Sequence, residues 1–147
     1  MVYQMARKPP WFYNQSGVIP FRMQGDVIEI LLITSKRRKR WIIPKGIIEQ
    51  HVSPQESAAK EALEEAGVRG RVHATPIGEY EYDKWDGTCK VKVFPMEVTE
   101  ILEHWPESGS RHRKWVSPEE AATLVDEPEL KQIIRKVPNV VHAKSET

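Results

Sequence analysis

The chain switches between runs that are apolar at nearly every position and segments in which apolar residues recur at helical spacing, which predicts a layered mixture of strands and helices. Residues 27–34 (VIEILLIT) are mostly β-branched or leucine, follow the turn-forming Gln24-Gly25-Asp26, and predict a largely buried strand. Residues 17–23, before the same turn, are its expected antiparallel partner. Trp41-Ile42-Ile43-Pro44 predicts a short strand that Pro44 ends or leaves at a sheet edge, because proline has no N–H for a ladder. Pro44-Lys45-Gly46 is then expected to open a loop. Two long strands are predicted over residues 71–82 and 89–99, joined around Asp83-Lys84-Trp85-Asp86-Gly87, whose Asp-Gly pair signals a hairpin. After a loop at 106–110, residues 113–116 predict one more strand.

Two segments carry strong helix starts. In Ser53-Pro54-Gln55-Glu56 the serine can cap, the proline suits the first helical position and the glutamate completes a capping box; Gly67 supplies the stop. Between them Ala59, Ala62, Leu63 and Ala66 form a narrow stripe of small apolar side chains suited to close packing on a sheet. Ser117-Pro118-Glu119-Glu120 repeats the pattern and predicts a helix to about Val125, with another over 126–136 after a break at Pro128. The whole reads as one layer-packed α/β (α+β) domain over residues 1–147, with residues 1–14 and 139–147 the most loosely held.

Composition narrows the picture by exclusion. The balance of 22 basic against 21 acidic residues leaves a net charge of +1, which argues against a nucleic-acid coat, so electrostatic function must come from local clusters. Cys89 is the only cysteine, so no intrachain disulfide can form; a buried, inert thiol in a reducing compartment is expected. No apolar run resembles a signal peptide or approaches the roughly 20 residues needed to span a bilayer, and a soluble, cytoplasmic protein without membrane attachment is expected. The histidines show no zinc-ligand spacing.

The chemistry concentrates on the first helix. At about 100° per residue, Glu61, Glu64 and Glu65 span an arc of roughly 100° opposite the alanine stripe. Such a face is often merely solvated. Here, however, the helix follows a backbone turn at Pro44-Lys45-Gly46 whose lysine can meet an anion. Clustered carboxylate oxygens suit Mg²⁺ or Mn²⁺, hard cations that commonly bridge protein to phosphate.

Residues 46–68 resemble the Nudix box: a Gly, five residues, a Glu, seven residues, then Arg-Glu-apolar-any-Glu-Glu-any-Gly-apolar. Gly46, Glu61, Ala62, Glu64, Glu65, Gly67 and Val68 match without insertion or deletion. Val52 stands where the family has glutamate and Lys60 where it has arginine; Lys60 keeps the charge but loses the planar fork. Glu49, in the same loop, can partly compensate for the missing acid. Flanking stretches, including Gly17-Val18-Ile19-Pro20-Phe21-Arg22 and Arg113-Lys114-Trp115, resemble the branch containing diphosphoinositol polyphosphate and diadenosine polyphosphate hydrolases.

The resemblance implies an α/β/α sandwich with a mixed sheet and a catalytic loop-helix. It implies a Mg²⁺-dependent (or Mn²⁺-dependent) hydrolase cleaving a phosphoanhydride bond in a small phosphorylated substrate, acting as a monomer or homodimer. Glu64, Glu65 and the Gly46 carbonyl would be metal ligands; Glu61 would be a ligand or the base, and Lys60 would orient it. Glu107 is the candidate for an additional carboxylate from a later loop. For a phosphate-rich substrate, Lys45, Arg37, Arg38, Arg40 and Arg113 are candidate contacts, with Lys36, Lys39, Arg111, His112 and Lys114 nearby in sequence. Among Trp11, Phe12, Tyr13, Tyr80, Tyr82 and Trp85, the turn residue Trp85 is the preferred candidate to stack on a base. The departures at Val52 and Lys60 leave a second reading open, a nucleotide-binding or sensor protein with weakened catalysis.

Overall fold

An eight-stranded mixed sheet is built almost wholly from hairpin-like antiparallel pairs, with one parallel junction near its middle. The computed structural model describes residues 7–145, with side chains through His142, so the extreme ends of the two segments expected to be loosely held lie outside the described residues. In chain order the elements are β1 (Asn14–Gln24), β2 (Val27–Thr34), β3 (Trp41–Ile42), β4 (Lys45–Ile47), α1 (Pro54–Glu61), β5 (Val68–Val72), β6 (Gly78–Lys84), β7 (Gly87–Ile101), β8 (Arg113–Val116), α2 (Pro118–Leu124) and α3 (Pro128–Ser145). β1 pairs antiparallel with β2 and β4 and parallel with β7; β7 in turn carries β5 and β6.

Side chains alternate across this sheet, and both faces are covered. Ile19, Ile30, Leu32, Val91 and Val93 point to a core closed by Ala121, Ala122, Leu130 and Ile134 of α2 and α3. Val18, Leu31, Ile33, Phe94 and Met96 point the other way, to Ala58, Ala62 and Ala66. A central strand wetted on neither face must be apolar at consecutive positions, which is why β2 reads as VIEILLIT. This is the expected α/β/α sandwich.

Several boundaries differ from expectation. Lys45–Ile47 is a short strand on β1 rather than the start of an open loop; the pairing of Ser16 with Gly46 fixes where the following helix begins. The expected strand at 71–82 is two, β5 and β6, separated around Pro76. The β6–β7 hairpin turns on Trp85 and Asp86, both with φ of 55°, so Gly87 is the first strand residue rather than part of the turn. A two-residue turn with two positive φ values matches the right-handed twist of its strands. The last helix passes through Pro138 and runs to Ser145, well beyond the expected stop at Lys136. Residues 10–13 form a short 3-10 turn whose aromatic rings pack on the hairpin tip. No helix among the described residues is long and apolar enough to cross a membrane.

Candidate active site

The acidic helix starts as its sequence dictates. Ser53 accepts the Glu56 N–H at 3.1 Å with Pro54 at the first position, and Gly67 ends the segment with φ of 66°. Between Ala62 and Ala66 the coil widens: the Gly67 N–H reaches both Ala62 and Leu63 carbonyls, a π turn of the kind that recurs at functional sites. The buried face comprises Ser57, Ala58, Ala62, Glu65 and Ala66. This corrects the expected stripe: Ala59 and Leu63 are only half-buried, and Glu65 faces inward with the alanines rather than outward with Glu64.

That inward turn makes the site. Glu65 is 8% exposed, accepts the Lys45 N–H at 3.1 Å through Oε1, and presents Oε2 to the Arg111 guanidinium at 3.6 Å. Glu61 lies over the backbone of Gly46, so closely that a Cβ there would stand 2.7 Å from its Oε2 and nearer still to its other carboxyl atoms. Burial pushes the Glu65 carboxyl up to about 8, outweighing the pull of Arg111, and the charge on Glu61 adds to it. Glu61 is also pushed up, first by burial; a hydrogen bond with Glu65 opposes this and the charge of Glu64 reinforces it.

The segment from Leu102 to Arg113 closes over the C-terminal end of this helix. Trp105 Nε1 donates to the Glu65 carbonyl at 3.0 Å, and the Glu107 N–H donates to the Glu64 carbonyl at 3.1 Å. Glu107 therefore comes beside the acidic helix, as expected, but its carboxylate is already held by Arg111 at 2.8 Å and Lys36 at 3.4 Å. Arg111, left as a mere addition to a basic patch, is the organising cation: its side chain is 8% exposed and touches Glu65, Glu107 and the Thr34 carbonyl. The four-residue spacing of Glu107 and Arg111 was the visible signal for that pair.

Four candidate substrate contacts are engaged elsewhere or lie outside the lining of the cleft. Arg113 donates to the carbonyls of Ala66, Gly67 and Leu102 and stacks on Trp105 at 4.0 Å, so both of its terminal nitrogens are engaged in capping the helix end. Trp85 packs edge-on against Phe12 and Tyr13 at the hairpin tip, away from the residues that line the cleft. Arg37 and Arg38 lie exposed on the turn between β2 and β3 and likewise do not line it. Lys45 and Arg40 do. They border a cleft of about 440 Å³ with Ile42, Tyr80, Tyr82 and Glu127. Lys45 Nζ donates to Tyr82 Oη at 3.0 Å, and Tyr82 donates to Gln15 Oε1 at 2.7 Å. Burial, then neighbouring Lys84, lowers the Lys45 pKa, while Glu65 pulls it back up. Cys89 is buried, as expected, beside Gln15.

Lys60, one of the two departures from the box, is exposed and bridges Glu49 at 2.7 Å and Glu64 at 4.0 Å. A single ammonium thus ties the loop to the helix, and its hydrogen bond to Glu49 holds its proton more tightly. Val52 is half-buried and closes a turn through its N–H on the Glu49 carbonyl at 3.1 Å.

Among the described residues no three acidic, histidine or cysteine side chains are pre-assembled around one centre. The donor set nonetheless fits a divalent cation: carboxylate oxygens crowded against the Gly46 backbone, with proton affinities raised first by burial and then by neighbouring carboxylates. Mg²⁺ typically takes one or two carboxylates and keeps its waters, so a closed cage is not required.

An acidic helix with a π turn, docked by its alanines on a mixed sheet and faced by a glycine-bearing strand, defines a Nudix-type domain. The NUDIX domain model matches residues 14–137. The chain is 36% identical over 130 residues to Nudix hydrolase 12, mitochondrial, of Arabidopsis thaliana, covering 74% of this chain and 64% of that protein. It is also 36% identical over 120 residues to diphosphoinositol polyphosphate phosphohydrolase 3-beta of Bos taurus, covering 80% and 71%. In three dimensions it matches the crystal structure of the C. elegans Ap4A hydrolase with a TM-score of 0.73 and 21% identity, over 88% of this chain and 98% of that one, a likeness of fold. The chain belongs to the Nudix hydrolase family.

Proposed function

We propose that the protein is a Mg²⁺-dependent hydrolase that cleaves a phosphoanhydride bond in a small phosphorylated substrate. The observation that carries this is the placement of Glu61 over Gly46 beside the inward-facing Glu65, which gathers two proton-avid carboxyls against the short strand that carries Lys45. Glu61, Glu64, Glu65 and the Gly46 carbonyl are the groups that would hold the cation. When bound, it supplies Lewis acidity that neutralises charge on the diphosphate. Glu65 has both oxygens engaged, one by the Lys45 N–H and one facing Arg111, so it is oriented rather than free. Glu61, which faces neither the Lys45 N–H nor Arg111 and whose proton affinity is raised by burial, is the group best able to take the proton from an attacking water. Lys45 brings positive charge to the cleft side of the same strand and favours a phosphate there.

The purified protein with Mg²⁺ should turn over at least one member of a panel of diadenosine polyphosphates, nucleotide sugars, ADP-ribose, nucleoside triphosphates and diphosphoinositol phosphates. Activity no higher than that of a Glu64→Gln, Glu65→Gln double variant on every member would exclude the proposal. The bridge from Lys60 to Glu49 and Glu64 favours a competent box over a lapsed one. Combined Val52→Glu and Lys60→Arg substitution should accordingly change kcat by less than about tenfold, against the 10- to 100-fold expected where an outer partner is truly missing.

A further inference from the structure

The end of the acidic helix is held by a single stretch of chain. A helix leaves its last carbonyls without partners of its own. Here the segment from Leu102 to Arg113 brings a donor to each in turn. The Glu107 N–H meets the Glu64 carbonyl at 3.1 Å and Trp105 Nε1 the Glu65 carbonyl at 3.0 Å. Arg113 Nη1 reaches the Ala66 carbonyl at 2.8 Å, and the Leu102 N–H the Gly67 carbonyl at 2.8 Å. These carbonyls belong to the π turn and its end, where the widened coil gives up the ordinary helical pairing and donors from outside must replace it.

Among these donors the Trp105 indole sits on the residue that matters most to the site. The carbonyl it holds is that of Glu65, whose carboxylate accepts the Lys45 N–H at 3.1 Å and faces Arg111 at 3.6 Å. Arg111 lies on the same segment as Trp105. One loop therefore grips Glu65 at both ends, by its carbonyl through Trp105 and by its carboxylate through Arg111. The indole is itself fixed: a Cβ on Gly67 would come within 2.6 Å of ring atom Cδ2, and the Arg113 guanidinium stacks on the ring at 4.0 Å. Pressed between a bare backbone and a guanidinium, the ring has little freedom to turn its N–H away.

We propose that Trp105 is a positioning residue for the Glu65 carboxylate and, through it, for the cation site. Trp105 does not line the Lys45 cleft, so it acts through Glu65 and not on the substrate. Without the indole N–H the Glu65 carbonyl would stand beside an aromatic ring with no donor, and a buried acceptor left unsatisfied is costly enough to shift the backbone that carries it. The turn then relaxes, and the carboxylate leaves the Lys45 N–H and its place beside Glu61. Outer partners that orient a ligand in this way are worth about 10- to 100-fold in metal affinity. The proposal rests on the hydrolase reading only for the cation; the hold on Glu65 stands on the hydrogen bonds alone.

The test uses Trp105→Phe in the full chain, which keeps an aromatic ring against Gly67 and Arg113 and deletes the N–H. Amide hydrogen exchange without metal is the first readout. The Lys45 N–H, sixty positions earlier in the chain, should exchange about tenfold faster or more as Glu65 is released, while amides of the β1–β2 hairpin keep their rates. Thermal melting should move by less than about 4 °C, the size of one neutral hydrogen bond in a chain of this length. Mn²⁺ titration followed by electron paramagnetic resonance is the second readout, and the Kd should rise about tenfold. Three results overturn the proposal: unchanged exchange at Lys45, exchange accelerated equally across the hairpin, or Mn²⁺ affinity equal to that of a wild type that binds the ion. Faster exchange at Lys45 against an unchanged hairpin, with no Mn²⁺ bound by wild type, supports the hold of Trp105 on Glu65 and removes the metal-dependent reading instead.

Discussion

Replacing Gly46 with alanine separates the role of its bare backbone in catalysis from any role in folding. Its φ is not in the left-handed region, since among the described glycines only Gly25 and Gly67 have positive φ, so alanine fits the backbone without strain. The added Cβ would stand 2.7 Å from Glu61 Oε2 and closer to Cδ and Oε1, against the 3.4 Å or more of ordinary contact. Glu61 must swing its carboxyl by about 1 Å, and a displacement of that size at a reacting group is worth on the order of 100-fold in rate. The stability effect is small because opposing terms nearly cancel. Alanine removes about 0.4–1 kcal/mol of unfolded-chain entropy, while an off-rotamer glutamate costs about 0.5–1.5 kcal/mol. For a chain of 147 residues the melting temperature should then move by less than about 4 °C. Steady-state kcat/KM on the preferred substrate and thermal melting of the same preparation make the measurement. Gly70→Ala is the contrasting control, since its Cβ would overlap the Glu97 carbonyl of the neighbouring strand and should lower melting. A Gly46→Ala enzyme retaining a third or more of wild-type kcat/KM, or losing melting and activity together, would show that Glu61 does not depend on a bare backbone beneath it.

Glu65 gives the expected pH dependence. Its carboxyl is raised from an ordinary 4.5 to about 8 by burial, so the folded state holds that proton more tightly than the unfolded chain does. The stabilisation this brings is complete below pH ~4.5 and is lost as pH rises to ~8, a change on the order of a few kcal/mol. Metal-free melting should fall across that window, Mg²⁺ should restore it, and Glu65→Gln should flatten it; a flat wild-type profile would contradict the buried placement. Arg113→Ala should lose about 3 kcal/mol in urea unfolding, because three carbonyls and the Trp105 face lose their partner, with KM unchanged. Unchanged stability with a raised KM would return Arg113 to the substrate. Tyr82→Phe should cost about 2 kcal/mol and raise KM more than it lowers kcat, since Lys45 and Gln15 both lose their shared hydroxyl. Equal kinetics would disconnect Lys45 from substrate binding.

The sandwich and the acidic helix were legible because they depend on local and periodic signals. β2 is apolar at consecutive positions, α1 and α2 carry serine-proline capping boxes, and Gly46 to Gly67 holds a fixed spacing. What failed depends on partners distant in sequence. No local feature of Arg113 reveals that the carbonyls of Ala66, Gly67 and Leu102 converge on it. Trp85 looks like an exposed stacking residue in a charged turn until Phe12 and Tyr13 fold against it from more than seventy positions away. Asp126 and Glu127 follow a helix with nothing to mark them; only the topology sets them across from Lys45 and Tyr80.

The misplaced helix face shows how composition sets the limit of such reading. On a wheel of about 100° per residue, the true buried arc is turned from the expected alanine stripe by roughly 85° toward the glutamates. The wheel could not discriminate, because Ser57, Ala58, Ala59 and Ala62 offer nearly equal small surfaces, and a small side chain says little about which way a helix faces. Two hydrogen bonds between elements decide it: Ser16 Oγ donates to the Pro54 carbonyl at 2.7 Å and Ser57 Oγ to the Ile47 carbonyl at 3.3 Å. They draw the N-terminal turn of α1 onto β1 and β4 and roll Glu65 beneath Lys45. Close packing through serine and alanine is thus the reason a carboxylate can be buried there at all, since larger side chains at these positions would hold the helix too far from Gly46 for Glu61 to cover it. The small residues that blurred the sequence pattern are the ones that bring the acidic helix within reach of its site.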